Sequence, residues 1–399
     1  VSLEIANQAI IDACPACSGQ RIDDVLDLEL PLFANVQWPD REQALRHPRG
    51  RVLLAECLEC GHLFNRSFQP EHLEYGPHYE NSLHHSKTFD GFAVAQARKL
   101  VEHFGLTGKR IVEIGCGGGD FLKILCREGG NTGFGFDVSL DPERQVESGG
   151  VDVTFYRQYF SARHAELAPD FLCCRHVLEH IPNPLQFLNE TVGVLKQGRF
   201  GIYFEVPNAA YTISGPGIWD LIYEHCQYFT STSLAHLFKR AGIIPDELYT
   251  TFTDQFLCLE ATTDSSRCPI KPRTGGVENE RAGPALKATW NERVLAWRQR
   301  LRNWRTEGRR VIVWGAGSKG VTFLNLADRD GAVQRVVDIN PYKHGRYVSG
   351  TGQQIVGPEA LREDPPDNVL VMNPVYSQEI AANLNAMGLN PMPIIQTPA

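Results

Sequence analysis

Three groups of residues in this 399-residue chain have the types and spacing to do chemistry. The first is Arg110-Ile-Val-Glu-Ile-Gly-Cys-Gly-Gly-Gly-Asp-Phe121. An apolar run reaches its end at Glu113 and Ile114, and Gly115, Gly117 and Gly119 follow at alternate positions. The pattern reads as a buried strand, a tight turn and the start of a helix. Glycines in such a turn let a ligand press against the backbone. A second strand-like run, Thr132 to Asp137, also ends in an acid, 24 residues after Glu113. An acid at that strand end can accept hydrogen bonds from both hydroxyls of a ribose. Together the two segments point to a nucleoside cofactor.

The second group is Cys14-Pro-Ala-Cys17 and Cys57-Leu-Glu-Cys60. Two-residue spacing turns both thiolates of a knuckle toward one ion, and two knuckles complete a tetrahedral zinc site. The 39 intervening residues exceed the usual zinc-ribbon spacing of about 15–20, so an insertion such as 27–50 is expected between the knuckles. Four cysteine ligands leave no open position, so this zinc is structural rather than catalytic.

The third group is Val311-Ile-Val-Trp-Gly315-Ala-Gly317-Ser-Lys319-Gly320, a full G-x-G-x-x-G after a strand, with Asp338 ending another strand 23 residues after Gly315. Taken alone this is a dinucleotide fingerprint, and it supports an alternative reading as an NAD-dependent oxidoreductase. The segment is short for a complete dinucleotide domain. Lys319 inside the loop favours phosphate as a point charge. A substrate pyrophosphate, NAD, or no ligand at all are all compatible with this loop.

These motifs sit in an α/β chain of three blocks. Residues 1–75 carry the cysteines. Residues 76–265 alternate strand-like and helix-like segments. Residues 266–307 are a linker followed by a helix near 285–307, and 308–399 are a second α/β unit. On the helix, Trp290, Val294, Trp297, Leu301 and Trp304 fall at alternating four- and three-residue steps and form one stripe. Such a stripe either packs on its own chain or forms a dimer seam, so a monomer or a homodimer is expected. Hydrophobic residues make up 42% and charged residues 22%, and the net charge is −8. Nothing in that balance suggests a nucleic-acid partner. No apolar run approaches a membrane span. The eleven cysteines, several inside apolar runs, suit a reducing compartment. No signal-peptide pattern is visible at Val1-Ser-Leu-Glu-Ile5. The expectation is therefore a cytoplasmic protein.

The E-x-G-x-G-x-G loop with a later acid resembles the class I S-adenosylmethionine methyltransferases. The three blocks in order resemble the deoxysugar C-methyltransferases. These enzymes join a zinc-binding N-terminal domain, a central class I methyltransferase domain with a Rossmann-like fold, and a C-terminal Rossmann-like domain. The resemblance is strongest at Gly315–Asn325 and at Asn340-Pro-Tyr-Lys-His-Gly-Arg-Tyr347. It implies that S-adenosylmethionine is held by Glu113, Gly115, Gly117, Gly119 and Asp137. His176 joins them where the family has asparagine. It implies a catalytic group of His225 as base with Glu224, Tyr223, His180 and Tyr79. It also implies that Gly315, Gly317, Lys319, Lys343 and Arg346 bind substrate, a nucleotide-linked keto-sugar or related small molecule. Here Tyr223 stands one residue closer to the histidine than in the family motif, and Glu179 replaces an alanine.

The chemistry implied is removal of a proton from the carbon beside a ketone, followed by attack of the enolate on an activated methyl group. That step needs a base near neutral pH and donors aimed at the oxygen that gains charge. Histidine has about the right basicity, with a free pKa of about 6.5. Methylation of oxygen or nitrogen on another metabolite would need no enolisation. A zinc-dependent interaction protein with a relic fold would need no cofactor at all.

Overall fold

The computed structural model describes residues 10–73, 75–76, 79–140, 149–195, 200–214, 216–263, 281–389 and 394–398. Most of the expected linker, residues 264–280, lies outside the described residues, as does the N-terminal pentapeptide.

The central block folds around a seven-stranded sheet. In spatial order its strands are Pro245–Thr251, Phe256–Thr262, Gly201–Pro207, Phe171–Arg175, Arg110–Ile114, Thr132–Phe136 and Val153–Tyr156. Five run parallel from Gly201–Pro207 to Val153–Tyr156, and Phe256–Thr262 lies antiparallel to Gly201–Pro207. Strands buried on both faces read as continuous apolar runs, as residues 171–174 and 201–204 do. The helix Lys87–Phe104 begins where the Ser86 hydroxyl accepts from Phe89 N–H, and it stops at Gly105, whose φ is 65°. This is the class I methyltransferase fold, in which ligands gather at the carboxyl ends of the parallel strands.

The C-terminal block is a five-stranded, all-parallel sheet. Its order is Gln354–Val356, Val333–Val337, Val311–Trp314, Asn368–Val371 and Ile394–Gln396. The sequence suggested barely one nucleotide-binding half, yet the chain completes a Rossmann-like sheet by using short strands.

At the N-terminus, Ile22–Pro31 pairs antiparallel with Arg49–Cys57, which pairs with Leu63–Asn65. The residues between the two cysteine knuckles are thus mainly this strand pair and its connection. A fourth strand, Gln227–Tyr228, comes from the central block and pairs with Leu63 and Phe64. The helix Ala282–Thr306 lays its tryptophan stripe on its own chain. The ring centroids of Trp290 and Trp219 are 6.5 Å apart, and those of Trp297 and Phe323 are 5.6 Å apart. Among the described residues no helix is long and apolar enough to cross a membrane.

Candidate active site

The first glycine loop lies between the strand Arg110–Ile114 and the helix Asp120–Gly129. Gly115, Gly117 and Gly119 all have left-handed φ, at 70°, 51° and 76°. A Cβ on Gly115 would meet Val177, and one on Gly119 would meet Phe155, whereas the space over Gly117 is open. The loop is anchored by Gly115 N–H donating to the Phe136 carbonyl at 2.7 Å. Asp137 accepts from Gly117 N–H at 2.8 Å with one oxygen, and from the Ser139 N–H and hydroxyl at 2.7 and 2.6 Å with the other.

Glu113 is buried, one of its oxygens has no hydrogen-bond partner, and burial pushes its pKa up to about 8. A buried carboxyl without a partner suits a ligand that brings a cation. Glu113, Gly115, Gly117 and Asp137 line a cleft of about 870 Å³, whereas the expected Gly119 is not part of its wall. Its open backbone over Gly117, orphaned acid at Glu113 and ribose-type acid at Asp137 fit S-adenosylmethionine, and these residues would hold it.

A second cavity of about 280 Å³ lies between the central and C-terminal sheets. One side carries His225, His180, Glu179 and Asp220; the other carries Gly315, Gly317, Lys319, Asp338 and Lys343. The two cavities share Tyr79, His176 and His180 in their walls. Burial pushes both His225 and His180 down to about 4, so each imidazole is neutral at pH 7; Asp220 pulls His225 the other way. His180 Nδ1 lies 3.0 Å from the Glu224 carbonyl and 2.9 Å from the Tyr75 hydroxyl. Tyr79 accepts from the Asn35 amide at 3.4 Å, and burial drives its pKa well up, so its hydroxyl keeps its proton. A neutral imidazole can take a proton, and a phenol can donate to an oxygen gaining charge.

His176 differs from its two neighbours. Burial opposes its charge, but Glu179 and Glu205 hold its pKa up to about 9. Its Nε2 is 3.0 Å from Glu205, which also accepts from Arg175 at 2.8 Å and from the Tyr203 hydroxyl at 2.6 Å. Its backbone φ is 53°, an uncommon conformation for a residue with a side chain. His176 lines both cavities, which fits its expected place beside the cofactor.

Three expected site residues lie elsewhere. Tyr223 is not part of either cavity wall: its hydroxyl meets the Gln69 backbone, 3.1 Å from the N–H, and its ring packs 5.5 Å from Phe68. Glu224 is fully buried and accepts from Ala34 N–H at 2.7 Å, tying the motif to the N-terminal block rather than to His225. Burial lifts its pKa to about 7. The acid whose charge reaches His225 is instead Asp220, itself 3.5 Å from Lys319. Arg346 reaches the Gln37 carbonyl at 3.4 Å and lies outside the cavity wall.

Lys343 does line the cavity, but its ammonium is spent bracing the loop, against the Ala316 carbonyl at 3.3 Å and Asp338 at 3.4 Å. Lys319 also donates to Gln255 at 3.0 Å, and Gln255 accepts from Asn373 at 2.7 Å, so the cavity is stitched across the domain boundary. Asp220, Gln255 and Asn35 went unnoticed in the sequence because nothing in their spacing marks them. Glu205 did leave a trace, as an acid inside the apolar run Phe200–Val206.

The four cysteines converge. Cys14 and Cys60 sulfurs are 3.7 Å apart, Cys17 and Cys57 sulfurs 3.5 Å apart, and all four lie within 4.8 Å of one another. A tetrahedral ion with Zn–S bonds of about 2.3 Å places its sulfurs about 3.8 Å apart. The cluster therefore fits zinc.

Comparison with known proteins agrees with the geometry. Residues 89–244 match the family described as methyltransferase domain, and residues 285–391 match the C-methyltransferase C-terminal domain. The central block is a methyltransferase domain of the S-adenosylmethionine-dependent class. Curated relatives include a ubiquinone biosynthesis O-methyltransferase of Vibrio cholerae, 33% identical over 101 residues, which are 24% of this chain and 40% of that protein. Another, from Aeromonas salmonicida, is 27% identical over 173 residues, 38% of this chain and 71% of that protein. The chain thus spans well under half the length of the first of these relatives. Solved structures with similarity include a SAM-dependent methyltransferase from Aquifex aeolicus, with 16% identity and a TM-score of 0.35, covering 46% of this chain and all of that one. Magnesium protoporphyrin IX methyltransferase from Synechocystis with bound SAH has 20% identity and a TM-score of 0.34, covering 44% of this chain and 83% of that one.

Proposed function

We propose that this protein is an S-adenosylmethionine-dependent C-methyltransferase acting on a small keto compound, a nucleotide-linked keto-sugar being the favoured class. The observation that carries this reading is that the cofactor cleft and the acceptor cavity share one wall, where Tyr79, His176 and His180 stand. S-adenosylmethionine, when bound, supplies an electrophilic methyl group. This chain's residues do the rest. His225 takes the proton from the carbon beside the ketone, with Asp220 near enough to favour the imidazolium. Tyr79 donates to the oxygen that gains charge, and His176 brings a fixed positive charge to the same wall. Gly317, Lys319 and Asp338 suit the ribose and phosphate end of a nucleotide.

The C-methyltransferase C-terminal match favours carbon as the methylated atom, while the O-methyltransferase relatives favour oxygen. Solvent exchange of substrate deuterium separates the two. Loss of deuterium from the carbon beside the ketone, in wild type and not in His225→Ala, is the expected result. Methyl transfer with that deuterium fully retained would overturn carbon methylation. Calorimetric titration with S-adenosylhomocysteine and, separately, with NAD tests the cofactor. Binding of the first alone is expected; binding of NAD alone would return the chain to the oxidoreductase reading.

A further inference from the structure

The wall of the acceptor cavity holds a group that the reaction above leaves unused. Glu179 is 1% exposed, and neither of its carboxylate oxygens has a hydrogen-bond partner. His176 Nδ1, at 3.6 Å, lies beyond hydrogen-bond reach, and its Nε2 faces Glu205 at 3.0 Å instead. Glu179 is thus ion-paired with His176 but not hydrogen-bonded to it, and buried carboxylate oxygens are ordinarily hydrogen-bonded or bound to a metal. One potential ligand atom each from Glu179, His180 and His225 falls within a 4.8 Å cluster. His180 is oriented as metal-binding histidines are, with Nδ1 against the Glu224 carbonyl at 3.0 Å, which leaves Nε2 free to bind. All three residues line the acceptor cavity, so an ion held by them would keep open positions on the cavity side.

We propose that Glu179, His180 and His225 form a second divalent-metal site, separate from the four cysteines. Two imidazoles and one carboxylate with open positions suit zinc, cobalt, iron(II) or nickel rather than magnesium or calcium. Its consequence rests on the base assignment above. An ion bound to the lone pair of His225 stops that imidazole from taking a proton, so occupancy of the site switches methyl transfer off.

The test is a Co2+ titration of the full-length protein with zinc already on its cysteines, followed by visible absorbance. The expected result is one further Co2+ per chain, with weak nitrogen- and oxygen-ligand bands rather than strong thiolate-to-metal bands. Glu179→Gln and His225→Ala should each lose these bands while keeping one zinc per chain, which reports that the variants fold. Wild-type methyl transfer should fall as the bands grow and recover with a weak chelator. Absence of saturable Co2+ binding beyond the zinc site, or unchanged bands in both variants, would overturn the site. The absorbance readout does not depend on turnover, so failure of the methyltransferase reading would show separately, as absent S-adenosylhomocysteine binding.

Discussion

The chain builds the same glycine-loop device twice and tunes it to opposite charge. In both copies the first loop glycine donates to the carbonyl closing the neighbouring strand, Gly115 to Phe136 and Gly315 to Val337, each at 2.7 Å. In both, an acid at that strand end accepts from a loop amide at 2.8 Å, Asp137 from Gly117 and Asp338 from Ala316. The difference lies two residues before the first glycine. Glu113 stands there in the central copy, and Val313 in the C-terminal one. The C-terminal copy adds Lys319 and Lys343 instead. On the function proposed above, Glu113 would meet the cationic end of one ligand, and Lys319, now paired with Asp220, would meet the phosphate of the other. A glycine fingerprint therefore reports a fold device, and the charges beside it choose the ligand.

The largest effect should come from removing the proposed base, His225. His225→Ala is expected to lower turnover by about 10²–10⁴-fold while leaving S-adenosylhomocysteine affinity unchanged by calorimetry, since no loop residue is touched. Near-normal turnover would remove His225 from the chemistry.

Next come the paired acids. Asp137→Ala should weaken S-adenosylhomocysteine binding by about 10–100-fold, the worth of a hydrogen bond to a charged group. Asp338→Ala should leave that affinity alone and raise the acceptor KM. Equal losses of homocysteine-compound binding in both variants would erase the distinction between the loops.

A smaller contrast concerns the glycines. Gly119 has a φ of 76° and Phe155 in the way of a Cβ, whereas Gly317 has a φ of −96° and open space. Gly119→Ala should cost about 1–3 kcal/mol in chemical denaturation, and Gly317→Ala within about 0.5 kcal/mol.

The smallest effect is on pH dependence. Burial pushes the Glu113 carboxyl up to about 8, above the ordinary carboxyl range. Its folded-state pKa is raised, so it contributes stability at low pH that is lost as pH rises from the unfolded value toward 8. If Glu113 holds the cationic end of the cofactor, as proposed, binding needs the carboxylate, so affinity should rise across the same interval, with proton release on binding below pH 8. Glu113→Gln should flatten both trends, in thermal unfolding and in calorimetry run in buffers of different ionisation enthalpy.

Much of this was legible in the sequence because glycine loops, strand-end acids and paired cysteines are local signals. The tryptophan stripe was equally local, and only its partner surface needed the structure. The motif Tyr223-Glu224-His225 shows where local reading stops. Three successive side chains leave in three directions, to the Gln69 backbone, to Ala34 N–H and to the acceptor cavity. Neighbours in sequence need not share a face, so a motif read as one catalytic cluster divides into one cavity residue and two that anchor it. Asp220 and Gln255 were illegible for the converse reason. Both are marked by contacts with Lys319, which comes 99 and 64 residues later.

The strand Gln227–Tyr228 has a consequence for how the chain assembles. The sheet beside the four cysteines lacks its last strand until a segment more than 160 residues farther along has been synthesised. Until then the edge Leu63–Asn65 is unpaired, and an open edge invites pairing with other chains. Contacts of such long sequence separation form late and slowly. The N-terminal block should therefore close its sheet only after the central block has supplied this strand, and that closure also sets the backbone beside His225.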